Sequence, residues 1–129
     1  MAPPTILLVT EFPDERALYS ESLRALGYVV RIAEGPDDAF AIVARERPDI
    51  VVTRILQPGY ASDGLALLRA LKAADATRDI PVLIITSLIQ PEYREQAFDS
   101  GCDGYVLLPA LPDQLATEIG RILAATQED

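Results

Sequence analysis

Thr10-Glu11, Thr53-Arg54, Thr86-Ser87 and Leu108-Pro109 each follow directly on a run of branched apolar residues in this 129-residue chain. Hydroxyls, a carboxylate and a guanidinium brought together would hold a charged group rather than break a bond. Arg54 offers a planar fork of donors that keeps its charge at any physiological pH, a shape suited to carboxylate or phosphate. Three uses of it stay open. It can cross to Glu11 as an internal charge-assisted pair, act as an anion receptor with Thr10, Thr86 and Ser87 as further donors, or lie solvated.

Other chemistries are excluded by what is missing. The chain has no histidine, which removes a Ser-His-Asp triad, a Cys-His pair and any His-ligated zinc or haem. Its single cysteine, Cys102, rules out an internal disulfide and a cysteine metal cluster, and fits a reducing compartment. In its Gly-Cys-Asp-Gly turn, Cys102 reads as a buried inert thiol, with a redox sensor as the alternative. Eleven basic against twenty acidic residues leave a formal net charge of −9, which disfavours nucleic acid and anionic membrane. The acidic stretches at Asp37-Asp38, Asp75 and Glu128-Asp129 read as solvated faces and helix N-terminal charges. Met1-Ala2-Pro3-Pro4 carries no basic leader, and no apolar run approaches the roughly 20 residues of a membrane span. A cytoplasmic protein with no enzymatic activity of its own is the expectation.

The elements that must position these residues follow from the apolar pattern. Continuous runs at Ile6–Val9, Tyr28–Val30, Ile50–Val52, Val82–Ile85 and Tyr105–Leu108 read as strands of a sheet covered on both faces. Helices are expected between them. The first carries Tyr19, Leu23 and Leu26 and stops at Gly27; the second opens at Pro36 with Ala39, Phe40 and Val43 on one face. The third, capped by Ser62 or Asp63, carries Leu67, Leu68 and Leu71. The fourth opens at Pro91 and stops at Gly101; the fifth opens at Pro112 with Leu115, Ile119 and Ile122. Strict alternation predicts one α/β domain over 1–129, with its core at about 5–123. It would be a doubly wound parallel sheet of flavodoxin-like strand order 2-1-3-4-5. In such a sheet a ligand sits outside the carboxyl ends of the strands, where the order reverses. The four segments named first all lie there.

These residues resemble the receiver domain of two-component response regulators, the CheY-like fold, from about Thr5 to Leu123. The resemblance rests on the segment Ile6 to Asp14, on Gly27-Tyr-Val-Val, and on Pro48-Asp-Ile-Val-Val-Thr-Arg-Ile-Leu-Gln-Pro58. It continues through Asp63-Gly64, Pro81-Val-Leu-Ile-Ile-Thr86 and Ala97-Phe-Asp-Ser-Gly-Cys-Asp-Gly-Tyr105. It implies an aspartate ending strand three that accepts a phosphoryl group, an acidic pair holding Mg²⁺, a Thr or Ser ending strand four, and a lysine after strand five. In this chain Arg54 stands at the acceptor position, Thr10-Glu11 at the acidic pair and Leu108 at the lysine; only Thr86 matches. The Pro58–Gly64 loop reads as two residues longer than usual.

The resemblance therefore implies a degenerate, stand-alone receiver-like domain that works through protein–protein contacts. Magnesium binding is expected to be weak or absent, with no other cofactor. A signalling partner, or a second copy in a homodimer, would use the helix 4–strand 5–helix 5 face. Thr86 and Tyr105 sit where the family couples a hydroxyl to an aromatic rotamer, either as a surviving switch or as inherited packing. Leu108 would fill space left by lost polar contacts, and the Leu108-Pro109 bond would be cis. Two rival readings are a sensor of a small anionic ligand at Arg54 and a receiver phosphorylated at Thr53, Ser62 or Glu11.

Overall fold

The computed structural model describes residues 2–56 and 64–127. Five strands alternate with five helices: β1 Thr5–Val9, α1 Pro13–Ala25, β2 Val29–Ala33, α2 Pro36–Glu46, β3 Ile50–Arg54, α3 Gly64–Ala73, β4 Val82–Thr86, α4 Pro91–Asp99, β5 Gly104–Leu107 and α5 Pro112–Gln127. All strand pairs are parallel, in the order β2-β1-β3-β4-β5, as the alternation of short apolar runs and helices predicts.

Period-2 geometry divides the sheet's side chains between two cores. Leu7, Val9, Val51 and Ile84 face one layer, with Ala39 and Val43 of α2, Leu67, Leu68 and Leu71 of α3, and Ala97 of α4. Ile6, Leu8, Val52, Leu83 and Ile85 face the other, with Tyr19 and Leu23 of α1 and Leu115, Ile119 and Ile122 of α5. The central strands β1, β3 and β4 are buried on both faces, so their sequences read as unbroken apolar runs.

The edges differ from the sequence expectation. β2 runs on to Ala33, because exposed Arg31, paired with Glu46, breaks the apolar run that marks a central strand. β5 ends at Leu107, one residue earlier than expected. Two expected core positions are exposed instead. Leu26 is the C-cap residue of α1, past its last buried turn, and Phe40 points outward beside buried Ala39. Gly27 takes φ +99 and Gly101 φ +103, the left-handed backbone that ends α1 and follows α4. The Ser62 or Asp63 cap and the lengthened loop lie outside the described residues.

Candidate functional site

The carboxyl ends of β1, β3 and β4 converge where the strand order reverses. Thr10, just past β1, is buried and tethered by its own N–H to the Ala33 carbonyl at 3.1 Å. Its hydroxyl donates to Glu15 Oε1 at 2.8 Å and accepts the Phe12 N–H at 3.2 Å. That turn starts α1, with Pro13 pre-set for the first helical position and acidic Asp14 and Glu15 in the first turn. Glu15 is thereby held over the end of the sheet.

Arg54, the last residue of β3, reaches into this space with a side chain only 10% exposed. Its Nε lies 3.5 Å from Glu15 Oε1, and the Phe12 ring centroid is 4.9 Å from its Cζ, a cation–π contact. The expected Arg54–Glu11 pair does not form. Thr10 fixes Glu15, and not Glu11, beside the guanidinium, and Glu11 Oε1 is buried with no hydrogen-bond partner among the described residues. The Glu15 contact is a charge pair without a hydrogen bond. Arg54 Nε and Nη1 are themselves buried and unpartnered among the described residues.

Thr86, the last residue of β4, is fully buried; its hydroxyl donates to the Ile55 carbonyl at 2.7 Å and accepts the Leu88 N–H at 3.2 Å. The Leu88 carbonyl in turn accepts the Tyr105 hydroxyl at 3.0 Å. Thr86 and Tyr105 are thus linked through the backbone of one residue, Leu88. Of the donors proposed for an anion at Arg54, the hydroxyl protons of Thr10 and Thr86 are already engaged, and only exposed Ser87 stays available. Thr53 is buried completely, with its hydroxyl 3.5 Å from the Arg54 carbonyl.

Leu108 lies just past β5, its N–H donating to the Thr86 carbonyl at 2.7 Å and its side chain packed on the α1–α5 core. The Leu108-Pro109 bond is cis, and Pro109 itself is exposed. Phe12, Arg54, Ile55, Leu56, Ser87, Leu88, Ile89 and Gln90 line an open cavity of about 480 Å³ at this end of the sheet. Arg94 of α4 lies over the Phe98 ring at 4.8 Å and the Tyr105 ring at 6.0 Å, and Ile89, Leu107 and Leu111 are exposed.

Sequence reasoning missed Glu15, Phe12 and Leu88. The acidic first turn of α1 was a usable signal for Glu15, since it places a carboxylate next to the end of β1. Leu88 had no signal, because it acts only through its backbone.

Three acids are pushed upward by burial: the Cys102 thiol to about 11, and the Tyr19 and Tyr105 phenols above their ordinary range, Tyr19 with help from Glu15. The thiol is an inert core group, with no sign of the lowered pKa that makes a cysteine reactive. All three favour the neutral form when folded. Their contribution is full below the ordinary values, 9.0 for the thiol and 10.0 for the phenols, and is lost as pH rises toward the raised ones. The melting temperature is expected to hold to about pH 8 and fall from about pH 9 upward, with a shallower fall in Cys102→Ala. A pH series of thermal melts on both proteins checks this, and identical slopes would remove the thiol from the account.

The doubly wound order and the convergent strand ends define a flavodoxin-like fold. Residues 6–120 match the model of the response regulator receiver domain, and the chain belongs to that family, the receivers of two-component response regulators. It is 34% identical over 118 residues to a gliding motility regulatory protein of Myxococcus xanthus, covering 91% of this chain and 15% of that protein. It is 29% identical to the phosphate regulon transcriptional regulatory protein PhoB of Pseudomonas aeruginosa, covering 98% of this chain and 54% of that one. The chain thus spans only part of the length of these relatives. Among solved structures, a response regulator from Chloroflexus aurantiacus matches with a TM-score of 0.86 and 27% identity, over 95% of this chain and 98% of the other. The signal receiver domain of a histidine kinase from Syntrophus aciditrophicus matches equally, at TM-score 0.86 and 27% identity, over 98% of this chain and 94% of that one. No helix among the described residues is long and apolar enough to cross a membrane.

Proposed function

We propose that this receiver acts without accepting phosphate, as a signalling module that works through protein–protein contact. The observation that supports it is Arg54 at the end of β3, the position at which the family resemblance puts the acceptor aspartate. A guanidinium is no nucleophile toward phosphorus and stays charged. The substitute acceptors are poorly placed, since Thr53 is buried completely and Glu11 Oε1 is shielded. Ser62 lies outside the described residues.

Magnesium does not fit this donor set. The ion demands oxygen ligands, and here a guanidinium stands beside Glu15, whose Oε1 already accepts the Thr10 hydroxyl, while the Thr10 oxygen accepts the Phe12 N–H. Among the described residues no three His, Cys, Asp or Glu side chains group to hold a metal. On this reading the module is not an enzyme, works in the cytoplasm and needs no cofactor. Its partner, a signalling protein or a second copy of the chain, docks on the α4–β5–α5 face. There Tyr105 reports on the pocket through Leu88, as a switch biased by binding instead of phosphorylation.

Incubation with acetyl phosphate and Mg²⁺ is expected to leave the intact mass unchanged. An adduct of one phosphoryl group would end this reading. A pull-down comparing wild type with the Arg54→Asp, Leu108→Lys double variant tests the link between pocket and partner. Weaker capture by the variant is expected, whereas unchanged capture would show that the pocket no longer controls the face.

A further inference from the structure

We propose that Arg54 and the cavity beside it form a binding site for a small organic monocarboxylate with an apolar body. The site does not depend on how the partner face is used. The starting point is an energetic anomaly. Buried guanidinium N–H groups are ordinarily hydrogen-bonded, because leaving a charged donor dry and unpartnered is costly. Arg54 keeps Nε and Nη1 buried and unpartnered among the described residues, although its side chain is only 10% exposed and a carboxylate stands 3.5 Å away. Glu15 neutralises the charge in part but makes no hydrogen bond to it, because its Oε1 is held by the Thr10 hydroxyl at 2.8 Å. The donors are therefore unmatched, and an added anion would supply what the protein does not.

Arg54 lines a cavity of about 480 Å³, within the size range of small-molecule sites. Its walls combine an apolar surface with a few polar groups, as ligand pockets do. Phe12, Leu56 and Ile89 supply the apolar area, and Ile89 is 74% exposed with no cover. Ser87 and Gln90 supply the one side-chain hydroxyl and the one side-chain amide of this lining. Phe12 lies over the guanidinium at 4.9 Å and covers one face of Arg54.

The charge balance selects a single negative charge. Glu15 lies against Arg54, Glu11 is shielded nearby, and Arg16 is already paired with Glu34 at 3.5 Å. One carboxylate can share Arg54 with Glu15, but a phosphate dianion would add a second negative charge where no further cation is free among the described residues lining the cavity. Occupancy also has a route outward. Leu88 lines the cavity, and its backbone is hydrogen-bonded on one side to Thr86 and on the other to Tyr105.

Sodium benzoate is the probe, with benzamide as its uncharged counterpart and inorganic phosphate as the dianion, each titrated at constant ionic strength. Thermal shift and amide NMR are read on the whole chain. Benzoate is expected to raise the melting temperature saturably and to shift the amides of residues 87–90 and of Tyr105, with benzamide and phosphate giving neither. Arg54→Gln should weaken benzoate by about tenfold or more, as expected for loss of a charged hydrogen-bonding partner, while circular dichroism shows it folded. Arg54→Lys, which keeps the charge and loses the fork, should fall between the two. No shift with benzoate would overturn the site. So would equal binding of benzoate by Arg54→Gln, an equal response to benzamide, or a response to phosphate alone.

Discussion

Alanine at position 64 is expected to destabilise this receiver strongly. A Cβ built on Gly64 would stand 2.1 Å from the Arg54 carbonyl oxygen, 3.0 Å from its carbonyl carbon and 3.2 Å from Thr53 Oγ1. The first two are backbone atoms of β3 and cannot swing away as a flexible side chain would. Relief requires either the start of α3 to withdraw or the end of β3 to bend. The first would pull Leu67, Leu68 and Leu71 out of the core, where all three are buried. Overpacking usually costs about 1–3 kcal/mol, and a backbone clash at a packed helix start belongs at or above the top of that range. For a domain of this size such a loss consumes a large part of the roughly 5–15 kcal/mol available. Urea unfolding of Gly64→Ala checks it, and Gly120→Ala, where a Cβ meets nothing within 4 Å, serves as the control expected to be near neutral or stabilising. A Gly64→Ala protein of wild-type stability would mean that α3 is not held tightly against β3.

Removing the Thr86 hydroxyl should produce the second large effect, and one that reaches Tyr105 on β5. Thr86→Val keeps the shape and deletes the oxygen, so the Ile55 carbonyl loses its donor at 2.7 Å and the Leu88 N–H loses its acceptor at 3.2 Å. Each of the two buried groups left unsatisfied costs about 1–3 kcal/mol, giving an expected loss of about 2–6 kcal/mol. Thr86→Ser retains the oxygen and should lose far less. Because Leu88 also accepts the Tyr105 hydroxyl, the valine variant should disturb the Tyr105 ring resonances while the serine variant leaves them in place. Denaturant unfolding measures the first effect and aromatic NMR the second. If valine were tolerated within about 0.5 kcal/mol, the hydroxyl would be an inherited packing group and nothing more.

Much of the fold was legible because hydrophobic periodicity is a local property. Val82–Ile85 reads as a buried central strand from its own composition, and Leu115, Ile119 and Ile122 mark a helix face from spacing alone. The edges were less legible for a physical reason. Arg31 sits in the edge strand β2, exposed and paired with Glu46, so a charged residue interrupts the pattern without ending the strand. Phe40 shows the complementary failure, since an aromatic side chain beside a buried alanine suggests a core position that the α2–sheet packing leaves to Ala39 and Val43.

The candidate site divides the same way. That Thr10, Arg54 and Thr86 meet at one end of the sheet follows from where the apolar runs stop and from parallel strand order, both contained in the sequence. Which carboxylate meets Arg54 does not follow. Glu11 and Glu15 are both near the end of β1 in sequence, and the choice rests on a side-chain hydrogen bond at 2.8 Å from Thr10 as α1 begins. The same holds for the Phe12 ring over the guanidinium and for the Leu88 backbone between Thr86 and Tyr105. Periodicity by itself determined the layers, the strand order and the address of the site. Only the tertiary structure decided the partners within it, because hydrogen bonds and charge pairs depend on placements of a few tenths of an ångström that no spacing rule encodes.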